Sequence, residues 1–438
     1  MPRVIDRRPM KFQAPRGTRD YYPAEAAWRN YLLDAWRRVS VRNGFEEVDG
    51  PIFEPLELYK VKSGEGIVTE VFHVKHPMGE QEFALRPEFT PTLARMVATK
   101  ANSLPKPIKW FCMPNLCRAE RPQRGRLREF LQWNVDILGL DDAVADAECI
   151  FTAVDLLQEL GLGPEHIRVK ISHRQTVRHI LIKMGVSDDK MLAAFDLLDR
   201  RDKIEPEAFA KGAGELGLDP HAVERFDQTC RMKYAAGNLD QMKNQIGLSD
   251  ELADLAALDE QLQQFGIAQW CEYDLGIVRG LAYYTGTVFE MHEISGAERA
   301  VAGGGRYDQL IELFDGPPTA AVGFGMGDVV LTNVLRDKGL IPEKFAPRPD
   351  VFVIAASDLG AAKSRLVTAT LRHAGLHVRF SYKATRNVGK LMKEAAGHDA
   401  HFAVILGDEV KDNVATLKDM ATGEQRDVPL DKLVDTLA

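Results

Sequence analysis

Cysteine is scarce in this chain, and the spacing of the few cysteines argues against a disulfide or zinc scaffold. There are five in 438 residues, and the closest two, Cys112 and Cys117, have neither a second pair nor a histidine cluster nearby. A disulfide framework or a structural zinc site needs closely spaced sets of such residues. We therefore predict reduced thiols, as in a cytoplasmic protein.

Long apolar runs are lacking as well. The first 20 residues carry several basic side chains but no apolar run long enough for a signal peptide or a transmembrane helix. A basic amphipathic transit peptide is the competing interpretation, although acidic sequence with helix and strand patterns follows at once. The sequence predicts a cytoplasmic protein that does not enter a membrane.

An excess of positive charge is also missing, because 56 Lys and Arg face 64 Asp and Glu, a net charge of −8. This balance argues against a surface coated by nucleic acid, but a local basic site can lie on an acidic protein. The composition, 45% hydrophobic and 27% charged, is that of an ordinary globular protein. The length predicts two to four domains and suits an enzyme.

The apolar pattern divides the chain into three regions. In residues 1–341 a helix from Ala24 to Asn43 leads into a strand over 45–51, and residues from about 177 to 263 form a helical insertion without a convincing strand. Residues 342–349 are a proline-rich linker, and 350–438 read as a separate α/β domain with a partly parallel sheet. Further strands are predicted in the first region, mainly antiparallel, at 71–74, 83–86, 108–113, 130–138, 273–277, 287–292 and 299–302.

The strongest local charge lies between Pro105 and Arg128, where seven basic residues face one acidic residue. Within it, residues 118–130 have strand-like flanks around Pro122 and Gly125, which is typical of a long hairpin. Arginines on such a hairpin can bind phosphates in a bidentate manner. A solvated basic loop is the alternative interpretation of this stretch taken alone.

Two glycine-containing stretches lie further along the chain. Residues 279–290 place an arginine and paired tyrosines beside glycines, which suits a pocket for a small polar substrate, although paired tyrosines are common in cores. Residues 303–308 and 323–327 fit neither the dinucleotide-binding fingerprint nor the P-loop.

In this order, the segments resemble the histidyl-tRNA synthetase family of class II aminoacyl-tRNA synthetases, over almost the whole chain. Residues 14–20, Ala-Pro-Arg-Gly-Thr-Arg-Asp, resemble the amino-terminal signature, residues 44–51 resemble motif 1, and residues 118–130 resemble the motif 2 loop. Residues 279–290 and 303–308 resemble the two histidine-specific motifs, which distinguish this family from other class II enzymes. The tail from Asp350 resembles the anticodon-binding domain, including residues 386–390 and 404–407.

The resemblance implies an α+β fold with a class II antiparallel sheet, flanking helices and a helical insertion, followed by a C-terminal α/β anticodon-binding domain. It implies a homodimer with motif 1 at its interface. The implied activity is histidine–tRNA ligase: ATP activates L-histidine to histidyl-adenylate, and the histidyl group then passes to the 3′ end of tRNA(His). Mg²⁺ would bridge the ATP phosphates, and the protein would contribute positioning and positive charge.

The resemblance also assigns roles in catalysis and in binding ATP and tRNA. Arg118 would bind the ATP α-phosphate and the histidine carboxylate, and Arg279 would be the transition-state cation. Glu120 would lie near the adenine or the tRNA end. Arg121 and Arg126 would line the phosphates and the acceptor stem.

The histidine contacts follow from the same resemblance. Glu88 and Thr90 would accept hydrogen bonds from the α-ammonium group of the substrate. Gln132 and Asp136 take the positions of further histidine contacts. The tyrosines complete this pocket. Tyr284 and Tyr307 would face the imidazole, and Tyr283 would lie beside them.

The sequence departs from the family pattern at two positions, and the first of them concerns the ATP site. The motif 3 arginine of the family falls on Val330, and a frequent aspartate of the histidine-specific motif is Ala282 here. Either another cation, for instance Arg126 or Arg306, replaces the missing charge, or ATP binding is impaired.

The main rival is the regulatory subunit of ATP phosphoribosyltransferase, which resembles the synthetase core and binds histidine without charging tRNA. The lost arginine would suit such a paralogue, whereas the tail from Asp350 and the intact Arg279-Gly-Leu-Ala-Tyr-Tyr run argue against it. A tRNA-binding sensor module is a third alternative, but it would need a fused effector for which this chain has no room.

Overall fold

The computed structural model describes residues 12–63, 65–75, 79–201, 204–246, 250–277 and 283–437. The chain divides between Glu343 and Lys344 into two compact units. Each unit has its own sheet and its own hydrophobic core, so each is described by itself.

The first unit contains helices on both sides of a large sheet and in an insertion. Its helices are α1 (Pro23–Arg42), α2 (Leu56–Ser63), α3 (Thr90–Lys100), α4 (Ala143–Glu159), α5 (Arg174–Lys183), α6 (Met191–Arg200), α7 (Pro206–Glu215), α8 (Pro220–Arg231), α9 (Leu239–Ile246), α10 (Ala253–Gln264) and α11 (Asp328–Asp337). Its strands are β1 (Glu46–Glu47), β2 (Phe53–Pro55), β3 (His73–Lys75), β4 (Glu82–Leu85), β5 (Ile108–Cys112), β6 (Asn115–Cys117), β7 (Glu129–Leu138), β8 (Ile167–His173), β9 (Lys233–Ala235), β10 (Cys271–Asp274), β11 (Thr287–Glu293), β12 (Ala302–Arg306) and β13 (Ala321–Gly327).

The large sheet has the strand order β1-β5-β7-β13-β12-β11-β8-β10-β9, with β6 paired to the outer part of β7. Its pairs are antiparallel except β1 with β5 and β8 with β10. Helices α1, α4 and α11 pack against it. The predicted α+β class with a mainly antiparallel sheet and flanking helices is confirmed, and the sheet is mixed at its edges.

Helix α1 shows how the sequence determines one of the helices that pack against the large sheet. Pro23 starts the helix in its first turn, and Gly44 ends it with a φ of +79°, a conformation that glycine adopts without strain. Trp36 stacks on Trp133 of β7 at 6.3 Å between ring centroids, and Trp133 Nε1 donates a hydrogen bond to Ser40. Burial of each large apolar side chain here stabilises the fold by about 1.5–3 kcal/mol. The apolar face of α1 is therefore covered within the chain.

Several predicted strands differ from the observed ones. The strand expected over 45–51 is only Glu46–Glu47, and Pro51 at the end of the predicted span lacks the backbone donor that strand pairing needs. Strand β4 pairs with β2 and β3 in a separate three-stranded sheet, whereas β5 belongs to the large sheet, so the strands predicted at 83–86 and 108–113 lie in different sheets. The helical insertion includes one short strand, β9, which pairs with β10 at the edge of the large sheet.

The strand expected over 299–302 lies at 302–306 instead, so the glycine run 303–305 is itself a central strand. It was not recognised because glycine weakens a strand pattern. Close packing requires the glycine: a Cβ on Gly304 would lie 2.2 Å from the carbonyl oxygen of Gly323 on the neighbouring strand.

The second unit alternates strands and helices as predicted. Its elements are β14 (Val351–Ala355), α12 (Asp358–His373), β15 (Val378–Phe380), α13 (Val388–Gly397), β16 (Phe402–Leu406), β17 (Val414–Asp419), β18 (Gln425–Pro429) and α14 (Leu433–Leu437). The strand order is β15-β14-β16-β17-β18, parallel for the first three strands and antiparallel for the rest. Ser357 and Asn387 cap α12 and α13 by accepting hydrogen bonds from backbone N–H groups in the first turns. The partly parallel sheet is confirmed.

Candidate active site

A cavity of about 720 Å³ lies over the centre of the large sheet in the first unit. Strands β7, β12 and β13 form its floor, and the chain before α3, the β6–β7 hairpin and residues 283–284 form its walls. Asp199, from α6 of the insertion, also lines it. The cavity is large enough for a ligand the size of a nucleotide and a small molecule.

Most residues that the sequence singled out meet in this cavity. Its lining includes these predicted residues: Glu88, Thr90, Arg118, Arg126, Gln132, Asp136, Tyr283, Tyr284 and Tyr307. Glu120 reaches it indirectly, through an ion pair with Arg126. Arg121 is exposed and lies outside the lining, and Arg279 falls outside the described residues.

A buried polar contact in the cavity joins β7 to the chain after β12. The hydroxyl group of Tyr307 donates a hydrogen bond to Oδ1 of the buried Asp136. Burial raises the pKa of the Asp136 carboxyl group to about 7, while the hydrogen bond from Tyr307 and the charge of Lys62 oppose this rise. A carboxyl group that ionises near neutral pH is a suitable partner for the N–H group of an imidazole.

Glycines on β13 make room for this polar face. A Cβ on Gly323 would lie 2.1 Å from Oδ1 of Asp136, and one on Gly325 would lie 2.8 Å from Cδ of Gln132. Strands β7 and β13 are neighbours in the sheet, so the small residues on one strand let the polar side chains of the other lie across it. The glycine run that fits no nucleotide-binding motif therefore shapes the cavity floor.

Three tyrosines form an aromatic wall. The rings of Tyr283 and Tyr284 are 4.5 Å apart between centroids, and those of Tyr283 and Tyr307 are 6.0 Å apart at an interplanar angle of 73°. Tyr284 and Tyr307 are buried. Such a wall suits a planar side chain, which can pack against ring faces and edges.

Lys62 is a functional candidate that sequence reasoning missed. Its side chain is fully buried and forms an ion pair with Glu88. Its ammonium group lies 4.1 Å from the centroid of the Tyr283 ring, within the range of a cation–π contact. No local pattern distinguishes Lys62 from Lys60, which pairs with Glu57 on the same helix, so only the tertiary structure identifies it.

The β6–β7 hairpin, predicted as a motif 2 loop, carries arginines to the cavity. The pairing of β6 with β7 and a bridge between Gln123 and Arg126 form it, as predicted. Nε of Arg118 donates a hydrogen bond to the Pro87 carbonyl oxygen at 3.0 Å, and its guanidinium group lies 5.3 Å from the centroid of the Phe130 ring. These contacts fix the plane of the Arg118 guanidinium group at the cavity wall.

The structure corrects one of the two suggestions for the missing motif 3 charge. Arg306 is buried and forms ion pairs with Asp146 and Asp308, and none of these three residues lines the cavity. Arg126 does line the cavity, but it is paired with Glu120. The charge of Arg306 is therefore neutralised by carboxylates inside the first unit and is not directed at the cavity.

Other residues of the cavity were not predicted individually. Asn134 lies on β7 between two predicted residues, and its side-chain amide donates a hydrogen bond to the carbonyl oxygen of Gln132 at 3.2 Å. Glu70 and Glu290 add carboxylate groups to the lining. The alternation of β7, whose even-numbered residues 132, 134 and 136 share one face, was the signal that could have identified Asn134.

The second unit has a separate surface cavity of about 590 Å³ beside β15. Tyr382, 89% exposed, packs against Phe380 at 4.7 Å between ring centroids. The guanidinium group of Arg372 lies 5.8 Å from the Phe380 ring centroid, and Arg379 contacts His398. Aromatic rings beside arginines are typical of surfaces that bind single-stranded nucleic acid.

Two further properties concern only the described part of the chain. No group of three or more His, Cys, Asp or Glu side chains there could hold a metal ion. None of the helices there is long and apolar enough to cross a bilayer.

Comparison with known proteins gives consistent matches along the chain. Residues 17–328 match the family model of histidyl-tRNA synthetase, and residues 350–438 match that of the anticodon binding domain. The histidine–tRNA ligase of Opitutus terrae is 38% identical over 430 residues, which cover 96% of this chain and 97% of that protein. The chloroplastic/mitochondrial histidine–tRNA ligase of Arabidopsis thaliana is 36% identical over 421 residues, covering 96% of this chain and 85% of that protein.

Solved structures share the fold. Histidyl-tRNA synthetase from Nostoc sp. PCC 7120 superposes with a TM-score of 0.81 at 24% identity, covering 98% of this chain and 99% of that one. A Bacillus halodurans chain described as an ATP phosphoribosyltransferase regulatory subunit/histidyl-tRNA synthetase superposes with a TM-score of 0.72 at 21% identity, covering 88% of this chain and 97% of that one. At these identities the likeness concerns the fold alone.

Proposed function

The chain belongs to the histidyl-tRNA synthetase family and is a histidine–tRNA ligase, and from this premise we propose how its residues bind and activate histidine. The reaction has two steps. The carboxylate of histidine attacks the α-phosphorus of ATP and releases pyrophosphate, and a ribose hydroxyl group at the 3′ end of tRNA(His) then attacks the acyl carbon and releases AMP. The chain is thus an ATP-dependent ligase of protein biosynthesis.

Histidine binds at the floor of the cavity in this proposal. The imidazole ring lies against Tyr284 and Tyr307 and donates a hydrogen bond to Asp136, whose carboxylate the Tyr307 hydroxyl group holds in place. The α-ammonium group binds near Glu88 and Thr90, and Gln132 and Tyr283 complete the pocket. The observation that carries the proposal is the meeting of Asp136, the tyrosines and Glu88 in one cavity with Arg118.

ATP binds beside the histidine carboxylate, at the arginines of the β6–β7 hairpin. Arg118 contacts both the carboxylate and the α-phosphate, and its fixed guanidinium plane favours this bidentate role. Arg126, with Glu120 as its partner, lines the phosphates, and Arg121 reaches the acceptor stem of the tRNA. Arg279 supplies positive charge in the transition state, and Mg²⁺ enters bound to the phosphates of ATP as part of the substrate.

We assign tRNA binding to the second unit, which covers the predicted anticodon-binding domain at 350–438. The aromatic and basic residues beside β15, with Tyr382 exposed at the surface, support contact with unpaired bases. The predicted catalytic domain, residues 1–341, performs both chemical steps.

We further propose that the enzyme is a cytoplasmic homodimer. The four cysteines whose side chains the structure describes are free thiols, which suits a reducing compartment. The apolar face of α1 is already covered within the chain and gives no support for a dimer. Support comes from two apolar residues directly after the predicted motif 1, since Ile52 is 51% exposed and Phe53 is 46% exposed. Apolar side chains exposed together favour a protein partner.

Two assays test the function and separate it from the regulatory paralogue. Purified protein should exchange pyrophosphate into ATP only when histidine is present, and it should attach histidine to tRNA. Histidine binding without exchange or charging would favour the regulatory subunit. Binding of tRNA without exchange would favour a sensor module.

A further inference from the structure

Val330 occupies the position at which the family resemblance expects an ATP-binding arginine. It lies in the first turn of α11 and is buried. Its Cγ2 atom lies 3.3 Å from the point that a Cβ on Gly125 would occupy, so Val330 packs against the tip of the β6–β7 hairpin. Valine cannot bind a phosphate, so an intact ATP site needs the charge of another residue close to the same hairpin.

Arg299 packs against the same glycine. Its Cδ atom lies 3.5 Å from the Cβ position of Gly125, next to Val330. Arg299 is exposed, and it forms no hydrogen bond or ion pair with any other residue that the structure describes. In contrast, the nearby Arg124 forms ion pairs with Glu298 at 2.6 Å and with Asp337 at 3.2 Å.

The backbone that carries Arg299 is tied to both elements of the site. The side chain of the preceding residue, Glu298, is only 2% exposed. It accepts hydrogen bonds from Nε of Arg124 on the hairpin, at 2.6 Å, and from Nδ2 of Asn333 on α11, at 3.3 Å. Glu298 thereby holds the loop before β12 where the hairpin and α11 meet.

The electrostatic surroundings of Arg299 favour an anionic ligand. Partial desolvation by its neighbours lowers the pKa of the exposed Arg299, and the positive charges of Arg126 and Arg118 lower it further, while Glu120 and Glu290 oppose this. Arg118 and Arg126 both line the cavity, whereas Arg299 lies outside its lining, exposed beside the hairpin tip and unpaired among the residues that the structure describes. Cations that repel one another in this way gain stability when a polyphosphate binds among them.

We propose that Arg299 binds the triphosphate of ATP and supplies the charge that Val330 lacks. The inference rests on the proposed function and adds a residue to it: the cation comes from the loop before β12 and not from α11. The juxtaposition of Arg299, Val330 and Gly125 carries it.

The test is the ATP dependence of pyrophosphate exchange in Arg299→Ala. We expect the KM for ATP to rise about tenfold or more, because one charge-assisted contact is lost. The KM for histidine and the melting temperature should stay close to wild type. Arg336→Ala removes an exposed arginine of α11 and serves as the matched control. An unchanged KM for ATP, or equal increases for ATP and histidine, would overturn the proposal.

Val330→Arg provides a second test. With Arg299 in place, a new arginine at 330 would bring two guanidinium groups to one glycine and bury a charge without a partner, so we expect no improvement in the KM for ATP. Suppose instead that the wild-type KM for ATP lies far above the millimolar range and that Val330→Arg lowers it to that range. The wild-type site would then lack a cation, and this result would contradict the role of Arg299. If the wild-type protein catalysed neither exchange nor charging, the proposed function itself would fail.

Discussion

The ammonium group of Lys62 forms an ion pair with the carboxylate of Glu88 beside the ring of Tyr283. Lys62 therefore links two side chains that line the proposed histidine pocket. A buried charge that loses its partner is strongly destabilised. Lys62 thus holds Glu88 in position for its proposed contact with the α-ammonium group of the substrate.

We predict that Lys62→Met raises the KM for histidine about tenfold, equivalent to about 1.4 kcal/mol, and changes the KM for ATP less than twofold. Methionine keeps the volume but removes the charge, so Glu88 loses its ion pair with Lys62. Pyrophosphate exchange with each substrate varied in turn measures both constants. Lys60→Met is the control, since Lys60 pairs with Glu57 on the same helix. A KM for histidine lower in Lys62→Met than in wild type would mean that Lys62 competes with the substrate ammonium group.

The raised pKa of Asp136 leads to a prediction about stability and pH. The folded value, about 7, lies above the unfolded value of about 3.9, so the folded protein binds this proton more tightly. The resulting stabilisation is present at low pH and is lost as the pH rises through 7. The side chain at position 136 cannot titrate in Asp136→Asn. The melting temperature of the variant minus that of wild type should therefore increase by a few degrees between about pH 5 and pH 8.

Thermal unfolding of wild type and variant across this range measures the effect. Asp34→Asn, which changes an exposed residue of α1, should show no such trend. A constant difference between Asp136→Asn and wild type at all pH values would mean that the carboxyl group is already ionised at low pH.

Motifs with a distinctive chemistry could be predicted from the sequence, and contacts between distant ordinary residues could not. The hairpin at 118–130 was predicted because proline, glycine and arginine leave a local pattern there, and β7 was predicted from its large apolar residues. Lys62 had no such pattern, since its burial depends on Tyr283, more than two hundred residues away in the chain. The position of Arg299 beside Gly125 likewise arises only from the packing of separate elements.

The glycine run at 303–305 was misplaced for a related reason. Local propensity disfavours glycine in a strand, but β12 lies between β11 and β13, where backbone groups approach too closely for a side chain. Tertiary packing therefore overrides local preference at the centre of the sheet. The second unit was predicted more completely because its alternating strands and helices have caps and turns close in sequence.

We predict that the protein is a dimer and that Phe53→Asp separates it into monomers. Phe53 is 46% exposed and packs edge to face on Phe83 in the small sheet, so a charge there would disrupt an apolar interface without disturbing the core. Light scattering should give twice the chain mass for wild type and for the control Leu192→Asp, which alters an apolar residue 67% exposed on α6. An active wild-type protein that stays monomeric at all concentrations would contradict the dimer.

Truncation after Pro349 separates the roles of the two units. We predict that the shortened protein keeps pyrophosphate exchange close to wild type, since every described residue of the proposed histidine and ATP sites precedes residue 343. Charging of tRNA should fall by at least a hundredfold. If a folded truncation lost both activities, the second unit would be needed for adenylate formation as well, and the modular interpretation would be wrong.

Single substitutions in the second unit test the same idea without removing it. Tyr382→Ala should raise the KM for tRNA about tenfold, because an exposed ring that stacks on a base contributes about 1–3 kcal/mol to binding. Pyrophosphate exchange should not change, since it does not involve tRNA. Leu366→Ala alters another exposed residue, on α12, and should leave both activities intact. Binding of tRNA to wild type should also weaken as salt is raised if, as proposed, basic residues of this unit contact phosphates. An unaltered KM for tRNA in Tyr382→Ala would exclude the surface beside β15 from anticodon contact and direct attention to the basic residues of α12 and α13.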